Sequence, residues 1–133
     1  MDTTVKSLEA AIKFRNMRQE LMASNIANAD TPGYKAKRLD FEEALARAID
    51  VDNELAMQSN DKNHFDVGNG GFNNLEPHVY EDPNGVVSEN GNTVERDKEL
   101  AEMAENQIMY NAAVQLLNKK LGMMKYAIGA DRD

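Results

Sequence analysis

The residues most able to do chemistry are the carboxylates of Asp50-Val51-Asp52-Asn53-Glu54, whose alternation resembles the opening of a calcium-binding loop. The pattern then fails. Its sixth position is Leu55, where the sharp turn needs Gly, and its twelfth is Asp61, where a bidentate Glu belongs. His64 and His78 stand fourteen residues apart with no paired carboxylate-His spacing, so they read as surface histidines rather than zinc ligands. Ser24 and Ser59 have no base within local reach. Gly68-Asn69-Gly70-Gly71 lacks both the Lys-Ser/Thr ending and the helix that a phosphate loop requires. No catalytic residues, metal ligands or cofactor-binding residues are therefore expected, and the function must lie in surfaces.

The elements that would form those surfaces are limited in what they can bury. The chain has 133 residues, 6% aromatic content, no Trp and a mean hydropathy of −0.64. That leaves little material for a thick core, so burial is expected to need a partner. No run reaches the ~18 apolar residues of a membrane span, and no charged segment followed by an apolar stretch and a cleavage site opens the chain. Zero cysteines remove disulfides and thiolate metal sites without deciding the compartment. The net charge of −8 is concentrated in residues 51–93, which hold one Lys against eight acidic residues. A basic face for phosphate backbones is missing, which argues against nucleic acid as a partner.

Three helical segments and a punctuated middle are legible. Residues 1–50 hold an amphipathic helix from about Thr3 to Asn28, a turn, and a short helix patterned by Phe41, Leu45 and Ile49. The first helix is apolar on two sides, with Val5, Leu8, Ile12, Met22 and Ile26 on one and Ala10, Phe14, Met17 and Leu21 roughly opposite, so it needs two sets of neighbours. Residues 51–93 are rich in Asn, Gly and Asp and read as an acidic connector. His78-Val79-Tyr80 and Val86-Val87-Ser88 could pair there as a short β-hairpin across Pro83 and Asn84-Gly85. Residues 94–133 carry a heptad pattern through Leu100, Met103, Gln107, Tyr110, Val114, Leu117, Leu121, Met124 and Ile128. A helix from about Val94 to Ile128 follows, with Asn92 and Glu95 as its capping box and charges ordered to complement its dipole. The expected fold is mainly α, its long terminal helices packed as a coiled-coil-like pair around an irregular middle.

The turn between the first two helices is the most specific stretch. In Thr31-Pro32-Gly33-Tyr34, Pro32 presets φ near −65° and Gly33 accepts the positive φ of a type II turn, while Asn28 and Asp30 suit the helix end before it. The whole run from Ala23 to Lys35, with Asn25, Ala27, Asn28, Thr31, Pro32, Gly33 and Tyr34 as its marked positions, resembles the N-terminal signature of the bacterial flagellar axial proteins. The continuation Lys35 to Phe41 and the block Asp97 to Gln107 resemble the basal-body rod proteins, and within them the short proximal ones.

That resemblance implies a structural subunit of the rod, with copies of itself, other rod proteins, the membrane ring and the flagellar export apparatus as partners. It implies export without a cleaved signal peptide, folding on assembly, and a place in the periplasmic rod region of the basal body. The helix-packing residues would be Leu8, Ile12, Phe14, Met17, Leu21, Ile26, Leu100, Met103, Tyr110, Val114, Leu117, Leu121, Met124 and Ile128. A soluble helical adaptor or export chaperone is the alternative, since amphipathic helices and an acidic centre would serve it too. It has no evident need of the turn signature.

Overall fold

Asp2 starts the first helix, its Oδ1 accepting the amide of Thr4 and its carbonyl the amide of Lys6. The computed structural model describes residues 2–59, 72, 75–83, 85, 87 and 89–130. The order is α1 (Thr3–Ala27), β1 (Lys37–Asp40), α2 (Glu42–Ser59), β2 (His78–Glu81) and α3 (Arg96–Ala130). The fold is mainly α, with long terminal helices that pack on each other and a small antiparallel sheet. Asp61, His64 and Gly68-Asn69-Gly70-Gly71 lie outside the described residues.

Three local outcomes differ from the sequence expectations. First, α2 runs on past Asp50 to Ser59, so Asp50, Asp52 and Glu54 sit on a helix and cannot curl around a cation as a loop would. Second, the strand at 78–81 forms but pairs with β1, in the register Lys37↔Glu81, Arg38↔Tyr80, Leu39↔Val79 and Asp40↔His78. Of the expected second arm, Val86 and Ser88 lie outside the described residues, as does Asn84 of the turn. β1 is the better partner because Leu39 brings a buried side chain and Lys37 meets Glu81 with opposite charge. Third, α3 begins at Arg96 rather than Val94, and the amide of Glu99 bonds the carbonyl of Glu95. Asn92 is not its cap, for its Oδ1 accepts the amide of Val94 ahead of the helix and not one within it.

The chain divides into two compact units. One gathers Met1–Ile12, Glu42–Glu76 and Asn111–Asp133, with Val5, Ala48 and Ala113 buried in it. Asp52 on α2 accepts the hydroxyl of Thr3 and the ammonium of Lys6, at 3.1 Å for the latter, and so ties α2 to α1. The other unit gathers Lys13–Phe41 and Pro77–Tyr110, with Phe14, Met22, Ala36, Leu39 and Phe41 buried. Phe14 and Phe41 stack at 5.5 Å between centroids. Arg18 lies over the Phe41 ring at 4.5 Å while donating twice to the carbonyl of Leu39, which fixes where α1 meets β1.

Candidate functional site

The signature turn is built as its sequence dictates. Tyr34 donates its amide to the carbonyl of Thr31, and Gly33 has φ of +76°. A Cβ on Gly33 would meet nothing within 4 Å, so the glycine is required by backbone conformation and not by space. Upstream, Asn28 closes α1 by donating its side-chain amide to the carbonyl of Ser24 and accepting the hydroxyl of Thr31.

Asn25 is the hub of the site and is fully buried. Its Oδ1 accepts the amide of Lys37 and the hydroxyl of Tyr34, both at 3.0 Å, and its Nδ2 donates to the carbonyl of Lys37 at 2.8 Å. The side-chain amide thus pairs both backbone groups of one residue, as a neighbouring strand would, and holds the start of β1 against α1. It also donates to Glu99 of α3 at 3.3 Å. Tyr34 therefore anchors through its hydroxyl. Ala27, Thr31, Pro32 and Gly33 are exposed on the outside of the turn.

A second strip of chain completes the site, and sequence reasoning missed it. Residues 90–93 run beside residues 33–36: Gly33 donates to the carbonyl of Asn90 at 2.8 Å, Thr93 to that of Tyr34 at 3.0 Å, and Ala36 to the Thr93 hydroxyl at 2.7 Å. Asn92, buried, gives both amide protons to the carbonyls of Asn28 and Thr31 at the end of α1, while its Oδ1 accepts the amide of Val94. Those carbonyls lie just beyond the C-terminus of α1 and already accept the amides of Thr31 and Tyr34, so Asn92 supplies the second bond that a carbonyl oxygen can take. The available signal was Asn90-Gly91-Asn92-Thr93 itself, a run of turn-forming residues with Gly91 at φ +80°.

Arg38 ties this assembly to α3. Its Nε meets Asp82 at 3.0 Å and its Nη1 meets Glu99, which is wholly buried, and the more exposed Glu102 at 3.5 Å. Burial alone would lower the pKa of this guanidinium, but the surrounding Glu99, Asp82 and Glu102 carboxylates raise it above the ordinary arginine value.

The packing positions expected on α3 are divided by the structure. Met103, Tyr110, Leu117 and Met124 are half-buried, as is Val114, whereas Leu100, Gln107, Leu121 and Ile128 are exposed. The side chains turned inward at the alternate positions are Glu99, Asn106 and Ala113, each one residue earlier than Leu100, Gln107 and Val114. Asn106 donates to the carbonyl of Arg15 at 2.8 Å and to Gln19 at 2.9 Å, and accepts from Arg15 at 3.2 Å. These polar pairs lie on the inward face of α3, one residue away from the apolar seam that the heptad pattern predicts. Ile108, Met109, Leu116, Met123 and Tyr126 are also exposed, Tyr126 by 82%. On α1, Phe14 is buried and Leu8, Ile12, Met17, Leu21 and Ile26 are half-buried, whereas Glu9, Lys13, Asn16 and Glu20 form an exposed polar stripe.

A helix pair locked by buried amides, a built turn and an outward apolar surface define a structural protein whose chemistry is packing. The comparisons agree. The family model described as "Flagella basal body rod protein" matches residues 9–35, the segment from α1 through the turn. A flagellar basal body rod protein FlgB of Bacillus subtilis (strain 168) is 34% identical over 122 residues, covering 92% of this chain and 90% of the relative. One of Cereibacter sphaeroides is 37% identical over 118 residues, covering 89% and 88%, and that of Escherichia coli (strain K12) is 30% identical over 131 residues, covering 93% and 92%. The chain belongs to the FlgB family of flagellar basal body rod proteins, which are structural proteins and not enzymes.

Proposed function

We infer that the chain is exported without a cleaved signal peptide and joins the rod in the periplasmic region of the basal body, where neighbouring subunits cover the outward side chains of α3. The observation that carries this reading is the exposure of Leu100, Ile108, Met109, Leu116, Leu121, Met123, Tyr126 and Ile128 on one helix. A helix apolar on several sides is stable where other elements surround it, and each Å² that neighbours remove from water contributes roughly 25 cal/mol against the entropy of ordering. Copies of itself and other rod proteins are the partners this surface suits, with the membrane ring and export apparatus adjacent. The signature turn contributes by fixing the direction in which the chain leaves α1, through Asn25, Asn28 and Tyr34. Electron microscopy of basal bodies purified from cells with and without the gene is the test. Truncated or missing rods in its absence, and labelled chain within the rod when it is restored, are expected. Complete rods in its absence would refute the reading.

A further inference from the structure

The inward column of α3 is polar where burial alone would make it apolar. Leu100, Val114, Leu121 and Ile128 recur at seven-residue multiples beside the half-buried Met103, Tyr110, Leu117 and Met124, and Met109, Leu116 and Met123 recur at sevens on the other flank. The first of these flanks has the three-four spacing with the half-buried column that makes an ordinary heptad seam. The helix instead turns Glu99, Asn106 and Ala113 inward. Turning Leu100, Val114, Leu121 and Ile128 inward instead would remove more apolar area from water, so apolar burial does not select the observed rotation.

What distinguishes it is polar pairing. Asn106 is 4% exposed, uses both amide protons and accepts from the Arg15 guanidinium. Sliding α3 along α1 would leave the buried Asn106 without these partners, which costs more than a hydrogen bond gains, and rotating it by one residue would forfeit the same bonds. Glu99, seven residues earlier, meets Asn25 and Arg38 and imposes the same alignment. The same penalty falls on an α1 that takes the α3 of another copy in any other register. We propose that Asn106, with Gln19 and Arg15 opposite it, specifies the alignment of α1 with the chain's own α3 and thereby keeps the two apolar flanks outward. A single buried polar residue at a helix seam has this effect at a cost in stability. Its consequence for the rod rests on the function proposed above.

The test uses the full chain, which contains no native cysteine. Asp30→Cys and Arg96→Cys, replacing an exposed ion pair at 3.2 Å, report the alignment through a short bis-maleimide, with mass spectrometry separating cross-links within a chain from those between chains. With Asn106 present, the link within the chain is expected to dominate. In Asn106→Leu/Gln19→Leu, which removes both side-chain amides, circular dichroism should be preserved while that link falls to about a tenth of its yield, the equivalent of about 1.4 kcal/mol in register preference, and links between chains appear. An unchanged cross-link pattern in the helical variant overturns the proposal. Loss of helicity overturns it equally, because the pair would then supply stability rather than choice of register. Absence of the unsubstituted chain from purified basal bodies would instead count against the proposed function alone.

Discussion

At the scale of single residues, the signature is largely a set of internal fasteners. Asn25 serves a strand, a tyrosine and a buried carboxylate at once, and Asn28 and Asn92 together add donors to carbonyls at and just beyond the end of α1. The type II turn was legible because Pro and Gly each have a local conformational reason to be there. The roles of Asn25 and Asn92 were not, because a side-chain amide shows its partners only when distant backbone is brought to it. Gly33→Val tests the turn. A β-branched residue at φ +76° is strained, at a cost of roughly 1–2 kcal/mol or more, although the space around it is open. Export should continue while incorporation into the rod falls, read by comparing secreted subunit with that in purified basal bodies. Normal incorporation would show that the turn tolerates another conformation.

At the scale of elements, α3 shows how far a heptad pattern carries. Its existence, its length and one of its two packing columns were legible, because Met103, Tyr110, Leu117 and Met124 hold the three-four spacing on either reading. The other column was misplaced by one residue, since periodicity weighs only apolarity and the choice is made by Glu99 and Asn106 through partners on α1 and β1. Likewise the strand at 78–81 was readable but its partner was not, because pairing with β1 joins segments separated by all of α2. Leu117 and Leu121 now separate two kinds of packing. Leu117→Ala removes a half-buried side chain and should destabilise the chain by about 1–2 kcal/mol, below the 2–5 of a fully packed site. Leu121→Ala, at a position 42% exposed, should leave the unfolding midpoint of the chain within about 0.5 kcal/mol of the original while lowering incorporation. Lys119→Ala, also exposed, should change neither. A large thermal shift for Leu121→Ala would mean that it packs within the chain after all. The attachment of α2 is polar and should depend on pH. The Thr3 hydroxyl, with Lys6, holds the Asp52 pKa below the ordinary carboxylate value despite the opposing effect of burial. The folded state then binds fewer protons than the unfolded one, so this contribution is fully present above the unfolded value of about 3.9 and is lost as pH falls through the lowered folded value. Acid unfolding followed by circular dichroism should show a shallower slope over that window for Asp52→Asn, and an identical slope would remove Asp52 from the account.

At the scale of the whole molecule, composition foretold that burial would be scarce, and its distribution shows where. The unit containing Lys13–Phe41 and Pro77–Tyr110 holds five of the eight hydrophobic residues buried among the described residues, and the Asn25, Asn92 and Asn106 networks. The last turns of α3, by contrast, present Met123, Tyr126 and Ile128 to solvent, each more than half exposed. A helix segment with few buried contacts opens locally at little cost, whatever its intrinsic propensity. Amide exchange on the dilute full chain should therefore grade along α3, with protection high around Glu99 to Tyr110 and falling steeply beyond Leu121. Along α1, protection should be highest around Phe14 to Asn25, where the buried side chains and amide bonds lie. Incorporation into the rod should then raise protection most where it was lowest, because covering these apolar side chains supplies the burial that the isolated chain lacks, and ordering is coupled to association. The measurement is exchange on the free chain set against exchange on the same chain in purified basal bodies. Equal protection of residues 121–130 and residues 14–25 in the dilute chain would show that the end of α3 is stable alone, and would break the link between its exposed surface and assembly.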